Sequence, residues 1–254
     1  MAVTLFALAL VVATVSAMRG IWSPCGLSML SSITPMTESG RGHRFGVTAA
    51  WFVVGGAVGG LSLGALAATG AAGLSAAGLS LDARMGIGAV VALLTAGIDL
   101  GVFGIELPIF KRQVDDAWLR RYRGWAYGAG FGWQIGFGVA TYIMTAGIFL
   151  TIALAVLTAS PAQALLVGAA FGVVRGSAVY VGRTATSPAA LARVHERLDA
   201  AGPYARTTAA GVQVVAAALL ASTAWHPLAG VVVVVVLVAA WSFARGASTQ
   251  PARS

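Results

Sequence analysis

Gly20-Ile21-Trp22-Ser23-Pro24-Cys25-Gly26-Leu27-Ser28-Met29-Leu30-Ser31-Ser32-Ile33-Thr34-Pro35 lies inside the first long apolar run of the chain. It carries the only cysteine among 254 residues and two of the eight prolines. As one straight helix, residues 2–35 would measure about 50 Å, against a hydrocarbon core of about 30 Å. The run must tilt, kink or turn back. Pro24 is the expected kink, because proline removes a helical hydrogen bond. Two readings stay open, a single kinked span or a span followed by a re-entrant segment.

Composition places this stretch in a membrane. The chain is 58% hydrophobic and 9% charged, with 33 glycines. A soluble domain carries about 25% charged residues, so charges confined to short stretches between apolar runs indicate a polytopic membrane protein. The net charge of +8 is almost all arginine. It forms no continuous basic face with stacking aromatics, so nucleic acid is not an expected partner and the lipid bilayer is. A single cysteine excludes an internal disulfide and a cysteine-cluster metal site. The three histidines have no metal-site spacing, and no cofactor is indicated. Residues 1–17 resemble a signal peptide but lack a basic start, and are read as a retained first span.

Outward from the first segment, spans are expected at roughly 46–72, 86–109, 124–158, 163–182, 207–225 and 228–244, seven helices in all. Residues 36–45 read as a polar loop, and 187–200 as a short amphipathic helix opened by Ser187-Pro188. The segment 124–158 is again too long for one straight crossing. Glycines recur at i, i+4 as Gly124, Gly128, Gly132 and Gly136, and as Gly168, Gly172 and Gly176. Rows of this kind let helices approach closely. Arg41, Arg44, Arg120, Arg121, Arg183, Arg206 and their neighbours fall on one side of the membrane and Arg84 alone on the other. The positive-inside rule then puts the N-terminus outside and the C-terminus in the cytoplasm of a cell-membrane protein.

The order of a broken segment, a glycine-rich span and a further span occurs twice. The expectation is a single all-α transmembrane domain with an inverted three-plus-three helix repeat, 1–109 against 110–225, followed by an extra span and tail at 226–254. Trp22 then matches Trp133, and Cys25 falls opposite Gly136.

Ser23-Pro24-Cys25, followed by Pro35, resembles the transmembrane family of CcdA and the central domain of DsbD. That resemblance implies a thiol-redox role in protein or cytochrome c maturation. Cys25 would act beside Pro24, with a thioredoxin-like or other cysteine-bearing partner. The family's second cysteine is absent here: Gln134, Ile135 and Gly136 stand at its place. A homodimer would bring two thiols together.

Other candidates come from the residues themselves. Asp99 and Glu106 are seven residues apart, on one face of the expected third span. An acid inside a membrane is expensive unless paired or wetted, so Asp99 is a candidate for transport or proton handling, or else for a structural ion pair with Arg175. Glu106 is a further candidate, or a side chain reaching the interface. Arg19 is a candidate activator of the Cys25 thiol, or a side chain stretched toward the interface. Gln134 is an amide expected to bond another helix. Three functions stay open: a CcdA-like redox component, a small-solute or ion transporter lined by Asp99 and Arg175, and a non-catalytic membrane subunit.

Overall fold

The computed structural model describes residues 2–104 and 117–248, with side chains as far as residue 242. The described chain is helical: α1 Ala2–Arg19, α2 Pro24–Ser32, α3 Pro35–Gly40, α4 Phe45–Ala76 and α5 Leu81–Asp99, then α6 Trp118–Arg121, α7 Gly124–Phe137, α8 Gly147–Leu157, α9 Pro161–Ser177, α10 Pro188–Ala224 and α11 Pro227–Ser248. Five segments are long and apolar enough to cross a membrane: Ala2–Trp22, Phe45–Ala76, Leu81–Asp99, Pro161–Thr184 and Pro188–Ala224. Glu106 lies outside the described residues.

Four helices begin in the same way. Ser23, Thr34, Ser160 and Ser187 each precede a proline at the first helical position of α2, α3, α9 and α10. Each side-chain oxygen accepts from a backbone N–H one turn on, at 3.0, 3.1, 3.5 and 3.2 Å. The hydroxyl satisfies an orphan donor, and the proline occupies a place where its missing N–H costs nothing. Ser23-Pro24 is therefore a helix start. The first segment breaks at a 3-10 turn, Gly20–Trp22, immediately before it.

α4 is the central helix, flanked by α7 and α9. A Cβ on Gly136 and one on Gly172 would each stand 2.2 Å from the carbonyl oxygen of Gly56, reached from two different helices. A Cβ on Gly132 would stand 2.0 Å from the carbonyl oxygen of Phe52. Only glycine permits such backbone approach, which is how the glycine rows pack. A larger core cluster includes Leu5, Val12, Leu63, Leu150, Leu154 and Leu220. A second gathers Leu30, Ile33, Phe52, Tyr127 and Phe131 beneath α2 and α3. Val231, Val232, Val235 and Val236 of α11 are exposed, as a lipid-facing surface would be.

Three boundaries differ from the sequence reading. α5 stops at Asp99 rather than 109, because Gly101 takes φ +76° and closes the helix. Gly101 N donates to Ile98 O at 3.0 Å and Val102 N to Gly97 O at 2.9 Å, a Schellman end. Pro188–Ala224 form one helix rather than two, with Pro203 inside it. Proline cannot donate to the carbonyl one turn back. Beside that interruption, the Trp22 indole donates to the Leu198 carbonyl at 2.7 Å. The stretch read as a polar loop contains α3.

Candidate functional site: a helix break held by charged caps

The segment 124–158 is broken, as its length requires. At 14 and 11 residues, α7 and α8 are each too short to cross alone. Gly138 ends α7 at φ +75°, where a Cβ would stand 2.6 Å from Ile148 Cδ1. Residues 138–146 have no helical structure, yet Thr141, Ile143, Thr145 and Ala146 are buried. Irregular backbone inside a membrane requires partners from the protein.

Charged side chains from other helices supply them. Arg175 of α9 is 5% exposed, and its Nε donates to the carbonyl oxygen of Ile135, in the last turn of α7, at 2.8 Å. Its guanidinium also lies over the Phe171 ring, 5.9 Å from the centroid. A Cβ on Gly20 would fall 1.3 Å from Arg175 Nη1, so the guanidinium sits against the 3-10 turn of the first break. One cation thereby meets both interruptions, at a helix C-terminus whose dipole favours positive charge.

The other side of the break carries an anion. Asp99, the last residue of α5, accepts from Thr145 Oγ1, from Ala146 N at 2.7 Å and from Gln213 Nε2 at 2.6 Å. Ala146 is the N-cap of α8. At the far end of α8, Arg84 of α5 donates from Nη1 to the carbonyls of Leu157 and Thr158, at 3.3 and 3.0 Å. The charges match the helix dipole at both ends.

Asp99 and Arg175 therefore serve opposite sides of one break and do not pair with each other. Among the described residues, the Arg41 ion pair and the His43 contact within 4 Å of a carboxylate both converge on Glu38. Glu38 in α3 is fully buried. It accepts from Tyr127 OH at 2.7 Å, from Thr48 Oγ1 at 2.5 Å and from Arg41 Nη1 at 3.0 Å, with His43 Nδ1 at 3.9 Å. This carboxylate was not singled out from the sequence. The signal was Thr34-Pro35, which has the form of Ser187-Pro188 and marks a helix start where a loop was read.

The remaining candidates are dispersed. Cys25 is buried in the first turn of α2. Cys25 and Arg175 interact electrostatically, and Arg19 interacts with Asp99 and Arg206. Pro35 opens α3. Gln134 is half-buried on α7, and the amide that ties helices together is Gln213. A void of about 10 Å³ adjoins Arg175, Gly20 and Gly138, room for roughly one water.

Four curated relatives match the chain, and all are named methylamine utilization protein MauF. The protein of Methylorubrum extorquens is 29% identical over 159 residues, 62% of this chain and 55% of the relative. That of Paracoccus versutus is 32% identical over 158 residues, 61% and 57%. That of Methylophilus methylotrophus is 30% identical over 172 residues, 65% and 58%. The chain thus spans little more than half the length of these relatives. No protein-family model matches it, and no solved structure does.

These relatives overturn the CcdA and DsbD resemblance, since MauF is a different family. The thiol-redox function falls with it, and the MauF names do not favour the transport alternative either. The physical reason is local. Ser23-Pro24 is one of four Ser/Thr-Pro helix starts in this chain, and a cap of that kind says nothing about the cysteine that follows it.

Proposed function

We propose that this chain is a membrane-embedded accessory protein of methylamine utilization. The observation that carries the reading is that all four curated relatives bear that one name, at about 30% identity over three-fifths of the chain. The site is consistent with a scaffold. Asp99, Glu38 and Arg175 each have hydrogen-bond partners within the protein, and the void beside Arg175 is small. Asp99 and Arg175 act here as positioning residues for the break between α7 and α8.

The proposed setting is the cytoplasmic membrane, with seven crossings: the five long segments, the α7–α8 pair and α11. The N-terminus lies outside and the arginine-rich ends of the helices inside. Residues 1–109 and 110–225 are proposed as inverted repeats, supported by the two breaks that meet at Arg175.

The test is deletion of the gene in its own host, followed by growth on methylamine and on succinate as sole carbon sources. The expected result is a growth defect on methylamine alone, restored by the wild-type gene in trans. Unchanged growth of the deletion strain on methylamine would overturn the proposal.

A further inference from the structure

A second cavity, of about 870 Å³, lies between the C-terminal ends of α1 and α5, the middle of α10 and the side of α11. Two guanidinium groups line it, Arg19 and Arg206, and Arg19 feels the charge of Asp99 as well as that of Arg206. The Arg19 guanidinium lies over the Trp22 ring, 5.9 Å from the centroid, and its Nη1 is buried with no hydrogen-bond partner among the described residues. Arg206 is exposed and, among the described residues, donates to the main-chain oxygen of Asp99 at 3.5 Å. A guanidinium has donors and no acceptor, so an unused donor calls for an oxygen acceptor.

Two carboxylates also face this space. Asp99 already accepts from Thr145, Ala146 and Gln213. Asp199 lines the cavity and is exposed to solvent. The opposite wall is apolar and includes Leu237 and Val238 of α11. Val238 is 54% exposed, so this wall continues onto the outer surface of the helix bundle.

We propose that this cavity binds an anionic amphiphile, with a phosphate-bearing headgroup on Arg19 and Arg206 and an alkyl chain along Leu237 and Val238. Paired guanidinium groups suit phosphate because each presents a planar fork of donors. A basic pocket between membrane helices suits an anionic lipid headgroup for the same reason. Soluble phosphate offers the same oxygens, and the apolar wall favours the lipid. This inference is independent of the role in methylamine utilization.

The experiment uses the purified full chain in neutral detergent. Thermal unfolding is followed while dioleoyl phosphatidylglycerol, dioleoyl phosphatidylcholine or inorganic phosphate is added. Phosphatidylglycerol is expected to raise the midpoint by several degrees, and phosphatidylcholine to leave it unchanged. Arg206→Gln, at an exposed position, is expected to weaken the phosphatidylglycerol effect about tenfold in concentration, and Arg206→Lys to weaken it less. Arg19→Gln should act in the same direction. Arg121→Gln, an exposed charge on α6 that does not line the cavity, should leave the effect intact. A shift from inorganic phosphate alone, lost in Arg206→Gln, supports the phosphate site and assigns its specificity to the headgroup. Equal shifts from the two lipids, or equal losses in Arg206→Gln and Arg121→Gln, would overturn the proposal.

Discussion

Arg84 and Asp99, near opposite ends of α5, hold opposite ends of α8: Asp99 accepts from Ala146 N at 2.7 Å, and Arg84 donates to the Thr158 carbonyl at 3.0 Å. The two helices run antiparallel, so the anion meets the N-terminus of α8 and the cation its C-terminus. A helix of 11 residues is marginal by itself. Clamping by a neighbour with charges matched to its dipole explains why α8 can start in mid-bundle after an irregular stretch.

Replacing Asp99 tests the clamp. Asp99→Ala leaves Thr145 Oγ1, Ala146 N and Gln213 Nε2 without this acceptor. The expected loss is about 3 kcal/mol of stability, since orphaned buried donors cost about 1–3 kcal/mol each and part of the loss is recovered by relaxation. Asp99→Asn keeps one oxygen acceptor and should cost less. Thermal and denaturant unfolding in detergent read the difference.

The contact between Gly20 and Arg175 yields a pairwise prediction. A methyl on Gly20 would collide with the guanidinium, so Gly20→Ala is expected to cost about 1–3 kcal/mol by overpacking. In an Arg175→Met background the collision is relieved and Gly20→Ala should cost much less. Additive effects in the double variant would show that the two residues do not touch.

The glycine interface separates two substitutions that look alike in the sequence. Gly132→Ala puts a methyl 2.0 Å from the Phe52 carbonyl oxygen and is expected to destabilise the α4–α7 contact by at least about 1 kcal/mol. Gly73→Ala, on the long helix α4, meets nothing within 4 Å and should be neutral or stabilising by about 0.4–1 kcal/mol. The unfolding midpoint should fall in Gly132→Ala and stay level or rise in Gly73→Ala.

At Glu38 the expected order is Tyr127→Phe milder than Glu38→Ala. The first removes one hydroxyl donor and should cost about 1–3 kcal/mol. The second removes the acceptor shared by the buried Tyr127 and Thr48 hydroxyls and by Arg41, which keeps its bond to the Ser32 carbonyl, and should cost about 3–5 kcal/mol. Equal stabilities would show that this cluster contributes little to the fold.

Some of this architecture was legible in the chain. Glycines four residues apart can only line one helix face, so Gly124 to Gly136 and Gly168 to Gly176 announced close packing. The length of 124–158 required a break. Its position was less visible, because the left-handed backbone of Gly138 differs in nothing from its neighbours in the sequence. Asp99 and Arg175 stand out in the sequence as charges in apolar segments, and the structure places Arg175 buried in α9 and Asp99 half-buried at the end of α5. Their partners do not stand out, because spacing along a helix does not reveal which other helix end lies across from it. Glu38 was hidden in a stretch of Pro, Met, Thr, Ser and Gly that reads as loop. The Ser-Pro-Cys motif misled for a related reason: its first two residues are a helix cap, used four times here, and carry no chemistry of their own.

The claim that Asp99 fixes the start of α8 is tested most directly by a double-mutant cycle between Asp99→Ala and Thr145→Val, measured by unfolding in detergent. The Thr145 hydroxyl donates to the Asp99 carboxylate, so the double variant is expected to lose less stability than the sum of the single variants, by about 1 kcal/mol or more. Strict additivity would contradict the account and leave the break in the α7–α8 segment without its anionic cap.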